Sequence, residues 1–223
     1  MTSPRFARGF FGLNGLVVLV GMIIQLSVSA GLKGTQFHSP GARIFNVFCY
    51  FTVWSNIAVG VTTGMLAWRL ERPSEVFRVV RLAGLISITI TFVLFHIALA
   101  HLQELQGSAK VADTLLHTVC PIMALVGWLA FGPRGMLSPH VVLPSLLFAG
   151  TWMVFALIRG PIVDFYAYPF ADPRKLGYFR VAVNAVGVAA LWLLLGTLAS
   201  YCDRFLPPRK PQAPQGAPAQ VTP

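Results

Sequence analysis

The amino-acid sequence predicts an all-α membrane protein, a polytopic bundle of six transmembrane helices joined by short loops. Apolar residues make up 56% of the chain and charged residues only 11%, whereas about a quarter of the residues in ordinary soluble domains are charged. The charges lie between long uncharged stretches, and about 20 apolar residues in a helix cross the hydrocarbon core. These stretches are too long and too continuous for the alternating strands of a membrane barrel.

The predicted spans form one membrane domain over residues 1–206. Basic residues flank several spans, and the fourth span ends at Gly132-Pro133-Arg134, a helix stop followed by an interfacial anchor. The spans cover roughly 10–32, 45–68, 79–102, 114–132, 140–158 and 178–200, with boundary errors of a few residues.

The start of the chain could be a cleaved signal peptide or a retained first span. Arg5 and Arg8 precede the first span, a pattern that also begins a signal peptide. The apolar run that follows has about 23 residues, longer than the 7–15 of a signal core, which favours a retained helix and leaves cleavage as the alternative. The Pro-rich segment 207–223 is expected to be a disordered cytoplasmic tail.

Lysine and arginine are distributed unevenly between the two sides of the predicted bundle. Cytoplasmic loops carry an excess of these residues, and one side holds ten of the 17. That side is expected to face the cytoplasm of a cell membrane, with both termini. Its basic residues are Arg5, Arg8, Arg69, Arg72, Arg78, Arg81, Arg134, Arg204, Arg209 and Lys210.

The net charge of +10 does not indicate a nucleic-acid partner, because the chain has no basic helix and no aromatic-basic platform. The basic side chains are expected at lipid head groups instead.

Cys49, Cys120 and Cys202 are widely spaced and form no metal or redox motif. No metal and no cofactor is therefore predicted, and the sequence does not identify a protein partner.

Polar side chains inside the predicted spans are candidates for function because they are costly to place in lipid. They are Thr52, Ser55 and Asn56 in the second span, His96 and His101 in the third, and His117 in the fourth. Helix parity places all of them in the leaflet that lies under the loop joining the fifth and sixth spans. Thr52 is predicted about 10 Å deep and His117 about 5 Å deep, from the rise of 1.5 Å per residue.

A hydroxyl and an imidazole at similar depth are the minimum parts of a nucleophile–base pair. The Thr52 hydroxyl oxygen would attack a carbonyl, and His117 would take the hydroxyl proton. Asn56 or Ser55 would stabilise the oxyanion or position the reacting groups. Structural alternatives exist for each residue. Membrane threonines often bond their own helix, and asparagines often join helices. Asp113 orients His117 or, as we favour, caps the fourth span.

The chain resembles the androgen-induced-protein (FAR-17a) family of six-span membrane proteins, and more closely its bacterial branch, the Pr6Pr family. Three segments carry the resemblance: Phe51-Thr52 within 46–56, His117-Thr118-Val119-Cys120-Pro121, and Tyr168-Pro169-Phe170 in the last loop. They occur in the family's order over roughly residues 10–200. The histidine segment has one residue fewer before its proline than the family pattern.

The resemblance implies an activity and a site. Eukaryotic members are threonine hydrolases that cleave fatty acid esters of hydroxy fatty acids within the membrane. The family's nucleophile falls on Thr52 and its histidine on His117, which implies a Thr/His-dependent carboxylic ester hydrolase acting on a membrane lipid. Tyr168, Pro169 and Phe170 would line the substrate pocket or form its lid. Apart from the resemblance, His96 and His101 are candidates for the same pocket or lid, with head-group anchoring, a proton path or metal binding as alternatives, and their spacing of five residues weakens the metal alternative.

Two other classes of function stay open. The histidines and Asn56 could line the path of a proton-linked transporter. Against this, the middle of the predicted spans contains no Asp, Glu or Arg. The Arg-rich loop at 69–81 and the Pro-rich tail suggest instead a non-enzymatic scaffold or partner subunit.

Overall fold

The computed structural model describes residues 3–100 and 104–206, so His101 and the predicted tail 207–223 lie outside it. The described residues form helices and loops without a strand, which confirms the all-α class. Their helices are α1 (Pro4–Gly31), α2 (Pro40–Val47), α3 (Phe51–Trp68), α4 (Glu75–Leu99), α5 (Gly107–Phe131), α6 (Pro139–Val163) and α7 (Pro173–Phe205).

The long helices account for the predicted membrane spans. Five of the described helices, all but α2 and α3, are each long and apolar enough to cross a membrane. The pair α2 and α3 passes the same test together, although the two helices are bent by 70°. The described part of the chain is therefore a multi-pass bundle of five or six spans.

The predicted second span, 45–68, is broken between Val47 and Phe51. Three successive backbone bonds of the tighter i to i+3 type end α2, and Tyr50 then starts a new helix. The break leaves carbonyl groups without a hydrogen bond inside the helix, and two indole N–H groups donate to them. Trp54 Nε1 lies 2.8 Å from the Phe48 oxygen, and Trp152 Nε1 lies 3.0 Å from the Cys49 oxygen.

Three other helices, α1, α5 and α7, begin five to seven residues before their predicted spans. Ser3 caps α1, with Pro4 at its first position. α5 begins at Gly107 rather than near 114, which adds two polar turns. α7 begins at Pro173 after the cap Asp172 and bends at Gly177, where a φ of 74° requires a left-handed backbone that suits glycine. Apolar runs do not mark these starts because the first turns are polar.

Helices α3 and α4 form the centre of the bundle. α1 and α5 pack on one side of them, and α6 and α7 pack on the other. Small residues allow the central pair to approach closely, as in other membrane bundles. A Cβ added at Gly84 would lie 3.3 Å from the backbone of Ala58 and of Val59.

Candidate active site

An apolar cavity of about 410 Å³ lies between α3, α4, α6 and α7. Its hydroxyl-bearing lining residues are Thr52, Thr91 and Tyr168, and the rest of its wall is apolar. Small residues create this space, because α6 and α7 present Ala149, Gly150, Ala185 and Ala189 to it. A cavity of this size and polarity fits an apolar small-molecule ligand with few polar groups.

Thr52 and Tyr168 form the polar end of the cavity. The hydroxyl oxygens of the two residues are 3.3 Å apart, and the Thr52 backbone N–H donates to the Tyr168 oxygen, also at 3.3 Å. Thr52 is the second residue of α3, so its N–H has no acceptor within the helix. Both residues are buried, with 7% and 8% of their surfaces exposed. Burial raises the pKa of the Tyr168 phenol, which keeps it a proton donor.

Asn56 and Ser55 are committed to the protein backbone. Asn56 Nδ2 donates to the Thr52 carbonyl at 2.9 Å and to the Leu116 carbonyl of α5 at 3.1 Å, which uses both of its N–H groups. The Ser55 hydroxyl donates to the Phe51 carbonyl at 2.8 Å. In this conformation both residues donate to backbone carbonyls, and the expected oxyanion role of either stays a prediction. Asn56 joins two helices.

Pro121 explains why the Leu116 carbonyl needs Asn56. Residues Leu115–Val119 form a wide π-type turn, in which the Cys120 N–H bonds the carbonyl of Leu115 rather than that of Leu116. The next donor for Leu116 would be residue 121, and proline has no N–H. Asn56 supplies the missing hydrogen bond from the neighbouring helix. A π turn in a helix often marks a functional site.

His117 lies in this π turn and is oriented by Asp113. Its Nδ1 atom is 3.0 Å from Asp113 Oδ1, and its ring stacks on Phe95 at 4.1 Å between centroids, with 15° between planes. Asp113 is buried in the second turn of α5 and does not cap the helix, so the favoured interpretation of this residue as a cap is wrong. An acceptor at Nδ1 leaves Nε2 as the basic nitrogen of the neutral ring.

The predicted contact between Thr52 and His117 is not formed in this structure. Among the described residues, the Thr52 hydroxyl bonds Tyr168, and the His117 ring bonds Asp113. Phe95 lines the cavity together with Thr52 and covers the face of the imidazole. The helix starts used for the depth estimates also differ, because Thr52 is the second residue of α3 and His117 lies ten residues after Gly107 in α5.

His96 is exposed and does not line the cavity in this structure, so its expected place in the pocket or lid stays a prediction. Its Nδ1 donates to the Phe92 carbonyl at 2.8 Å, and its Nε2 is 3.2 Å from the Thr118 hydroxyl. His96 also lies in a π turn, Phe95–Leu99, at the end of α4. Within 3–100 and 104–206, no three His, Cys, Asp or Glu side chains converge as metal ligands would.

The loop between α6 and α7 covers the Thr52 end of the cavity. Tyr168 and Phe170 line the cavity, whereas Pro169 does not line it and instead begins a short 3-10 turn. Asn184 of α7 donates to the Phe170 carbonyl at 2.9 Å. Asp172 accepts from Arg174 Nη2 at 2.8 Å, and this guanidinium lowers the pKa of the Asp172 carboxyl.

The sequence indicated Thr52, His117 and Tyr168 and offered Asp113 as the less favoured orienter of His117, but it gave no sign of Phe95. The spacing of four residues between Asp113 and His117 was the available signal. Comparison with protein-family models, with curated proteins and with solved structures finds no match to this chain. The resemblance to the androgen-induced-protein family therefore stays a prediction.

Proposed function

We propose that this protein is an intramembrane hydrolase of fatty-acyl esters, with Thr52 as the nucleophile and His117 as the general base. The observation that carries this proposal is the Thr52 hydroxyl at the polar end of an otherwise apolar cavity of about 410 Å³. An acyl chain fits the apolar wall, and its ester carbonyl fits beside the hydroxyl.

The proposed reaction has two stages. Thr52 Oγ1 attacks the ester carbonyl carbon and its proton passes to His117 Nε2. The C–O bond to the alcohol then breaks, and the alcohol leaves with that proton. Water then attacks the acyl-threonine carbonyl and gives a proton to the same nitrogen. The C–O bond to Thr52 breaks, the fatty acid leaves, and Thr52 Oγ1 takes that proton back. The Tyr168 hydroxyl is the side-chain donor beside the nucleophile that suits the oxyanion, whereas the Thr52 N–H donates to the Tyr168 oxygen.

Phe95 must turn aside for this reaction, since it covers the imidazole face and lines the cavity. Catalytic contacts are often loose before substrate binds and tighten in the complex. The Asp113 carboxylate supports the proposal by fixing the tautomer of His117.

Hydrolysis of a long-chain acyl ester by purified protein in detergent tests the proposal. Thr52→Ala and His117→Ala are each expected to lower kcat by at least about 10³-fold. Thr62→Ala removes a buried threonine at the far end of the same helix, and His140→Ala removes an exposed histidine paired with Glu75. These two controls are expected to retain activity.

A second candidate is a lipid-binding protein that does not hydrolyse its ligand. The bond from Thr52 to Tyr168 rather than to His117 favours it. Saturable binding of the ester without any turnover would select this candidate over the hydrolase.

A further inference from the structure

Three residues of the cavity wall are also exposed on the outer surface of the bundle. They are Gly150 and Val154 on α6 and Val186 on α7. Val154 is 57% exposed and Val186 is 69% exposed. The cavity therefore reaches the surface between α6 and α7, in the flank of two apolar membrane-length helices.

The opposite end of the cavity is closed by the loop at 164–172. Tyr168 is buried there against Trp152, with ring centroids 5.6 Å apart. Arg174 bonds both Asp164 and Asp172, which fixes the two ends of the loop to the start of α7. The loop thus closes the side that faces water, whereas the opening lies on the side that faces lipid.

We infer that Gly150, Val154 and Val186 form a lateral portal through which a lipid acyl chain enters the cavity directly from the bilayer. This inference rests on the proposed ligand class of the cavity, and it adds the route of entry and the residue that limits it. The chain slides between α6 and α7 toward Ala149 and Ala189, and its ester group stays near Thr52.

Gly150 is the residue that sets the width of the portal. A Cβ added at Gly150 meets no other atom within 4 Å, so a larger side chain is tolerated there and projects into the opening. Gly187 on α7 is a matched control. It is also exposed, a Cβ added there likewise meets nothing within 4 Å, and it does not line the cavity.

The test uses the full-length protein reconstituted in phosphatidylcholine vesicles that contain a long-chain acyl ester bearing a diazirine. Photolabelling reports occupancy of the cavity, and release of the fatty acid reports hydrolysis. In the wild type and in Gly187→Phe, the label is expected on peptides that contain residues 146–154 and 185–189. Gly150→Phe is expected to lower this labelling and the hydrolysis rate by about tenfold or more.

The two readouts separate the portal from the proposed chemistry. Unchanged labelling in Gly150→Phe, or labelling confined to peptides outside the cavity, overturns the portal even if hydrolysis is observed. Labelling that Gly150→Phe abolishes, in a protein without any hydrolysis, supports the portal and overturns the hydrolase. Circular dichroism and detergent melting of Gly150→Phe and Gly187→Phe exclude misfolding as the cause.

Discussion

The Nδ1 atom of His117 lies 3.0 Å from Oδ1 of Asp113, one turn earlier on the same helix. A carboxylate in this position holds the imidazole in one orientation. Lys110 is the other basic partner of the carboxylate, 3.5 Å away and largely exposed. This three-residue arrangement gives the proposed base a defined tautomer inside an apolar helix bundle.

Replacing Asp113 with asparagine is expected to reduce ester hydrolysis without unfolding the protein. Asparagine keeps the shape but loses the charge and lets the imidazole adopt the wrong tautomer, so kcat should fall by about 10²–10⁴-fold. Steady-state kinetics on a long-chain ester measure the effect. Lys110→Gln is the control and should retain most of the activity, and equal losses in both variants would contradict an orienting role for Asp113.

Tyr168→Phe is expected to reduce kcat by about 10²–10³-fold, the usual effect of removing one oxyanion donor. KM should change little, because the ring continues to pack against Trp152. Tyr166→Phe, in the same loop, is the comparison, since its ring instead lies under Arg174. A rise in KM at constant kcat would show that Tyr168 binds substrate and does not stabilise the transition state.

The bond from Asn56 to the Leu116 carbonyl predicts a coupling between Asn56 and Pro121. Asn56→Leu leaves that carbonyl buried without a donor and should lower the free energy of unfolding by about 1–3 kcal/mol. Adding Pro121→Ala restores an N–H that can reach the carbonyl. The double variant should therefore lose less free energy of unfolding than the two single variants lose in sum. Thermal melting in detergent of all four proteins measures this coupling, and strict additivity would refute it.

Asp203 joins α7 to α5 and to the following loop on the predicted cytoplasmic side. Its two carboxylate oxygens accept from Trp128 Nε1 and from the Leu137 N–H, each at 3.2 Å. Asp203→Ala leaves both buried donors unpaired, so the free energy of unfolding should fall by roughly 2–5 kcal/mol. Arg204→Ala, at a more exposed neighbouring position, should change the melting temperature little.

Acid should destabilise the loop that covers the cavity. Arg174 lowers the pKa of the Asp172 carboxyl in the folded protein. The resulting stabilisation is present above the unfolded-state pKa of about 4 and is lost as the pH falls through the lower folded-state pKa. Melting temperature measured against pH should therefore decline less on acidification in Asp172→Asn than in the wild type, and parallel curves would exclude the contribution.

The helical class and most of the spans could be predicted because lipid requires long apolar runs. The break in the second span could not be predicted, since the residues around Cys49 are as apolar as those of a continuous membrane helix. The indole N–H groups that permit the break come from Trp54 and from Trp152, and the latter is over a hundred residues away. Hydropathy contains no information about such partners.

The candidate site was predicted only in part for a similar reason. Parity placed Thr52, His117 and Tyr168 at one side of the bundle, but it did not foresee that the Thr52 and Tyr168 hydroxyls lie 3.3 Å apart. Rotation about each helix axis is not encoded in an apolar run, so the position of Phe95 beside His117 was not foreseen. The cavity itself depends on small residues from two distant helices, which become neighbours only in the folded chain.

The link between Asn56 and the Leu116 carbonyl has a mechanical consequence. It joins α3 and α5 one turn beyond Thr52 and one residue before His117, so the two helices cannot slide past each other without breaking it. The proposed nucleophile and base are thereby held at a constant axial register. We expect rotation of the Phe95 ring, rather than a shift of either helix, to be the movement that opens the path between them.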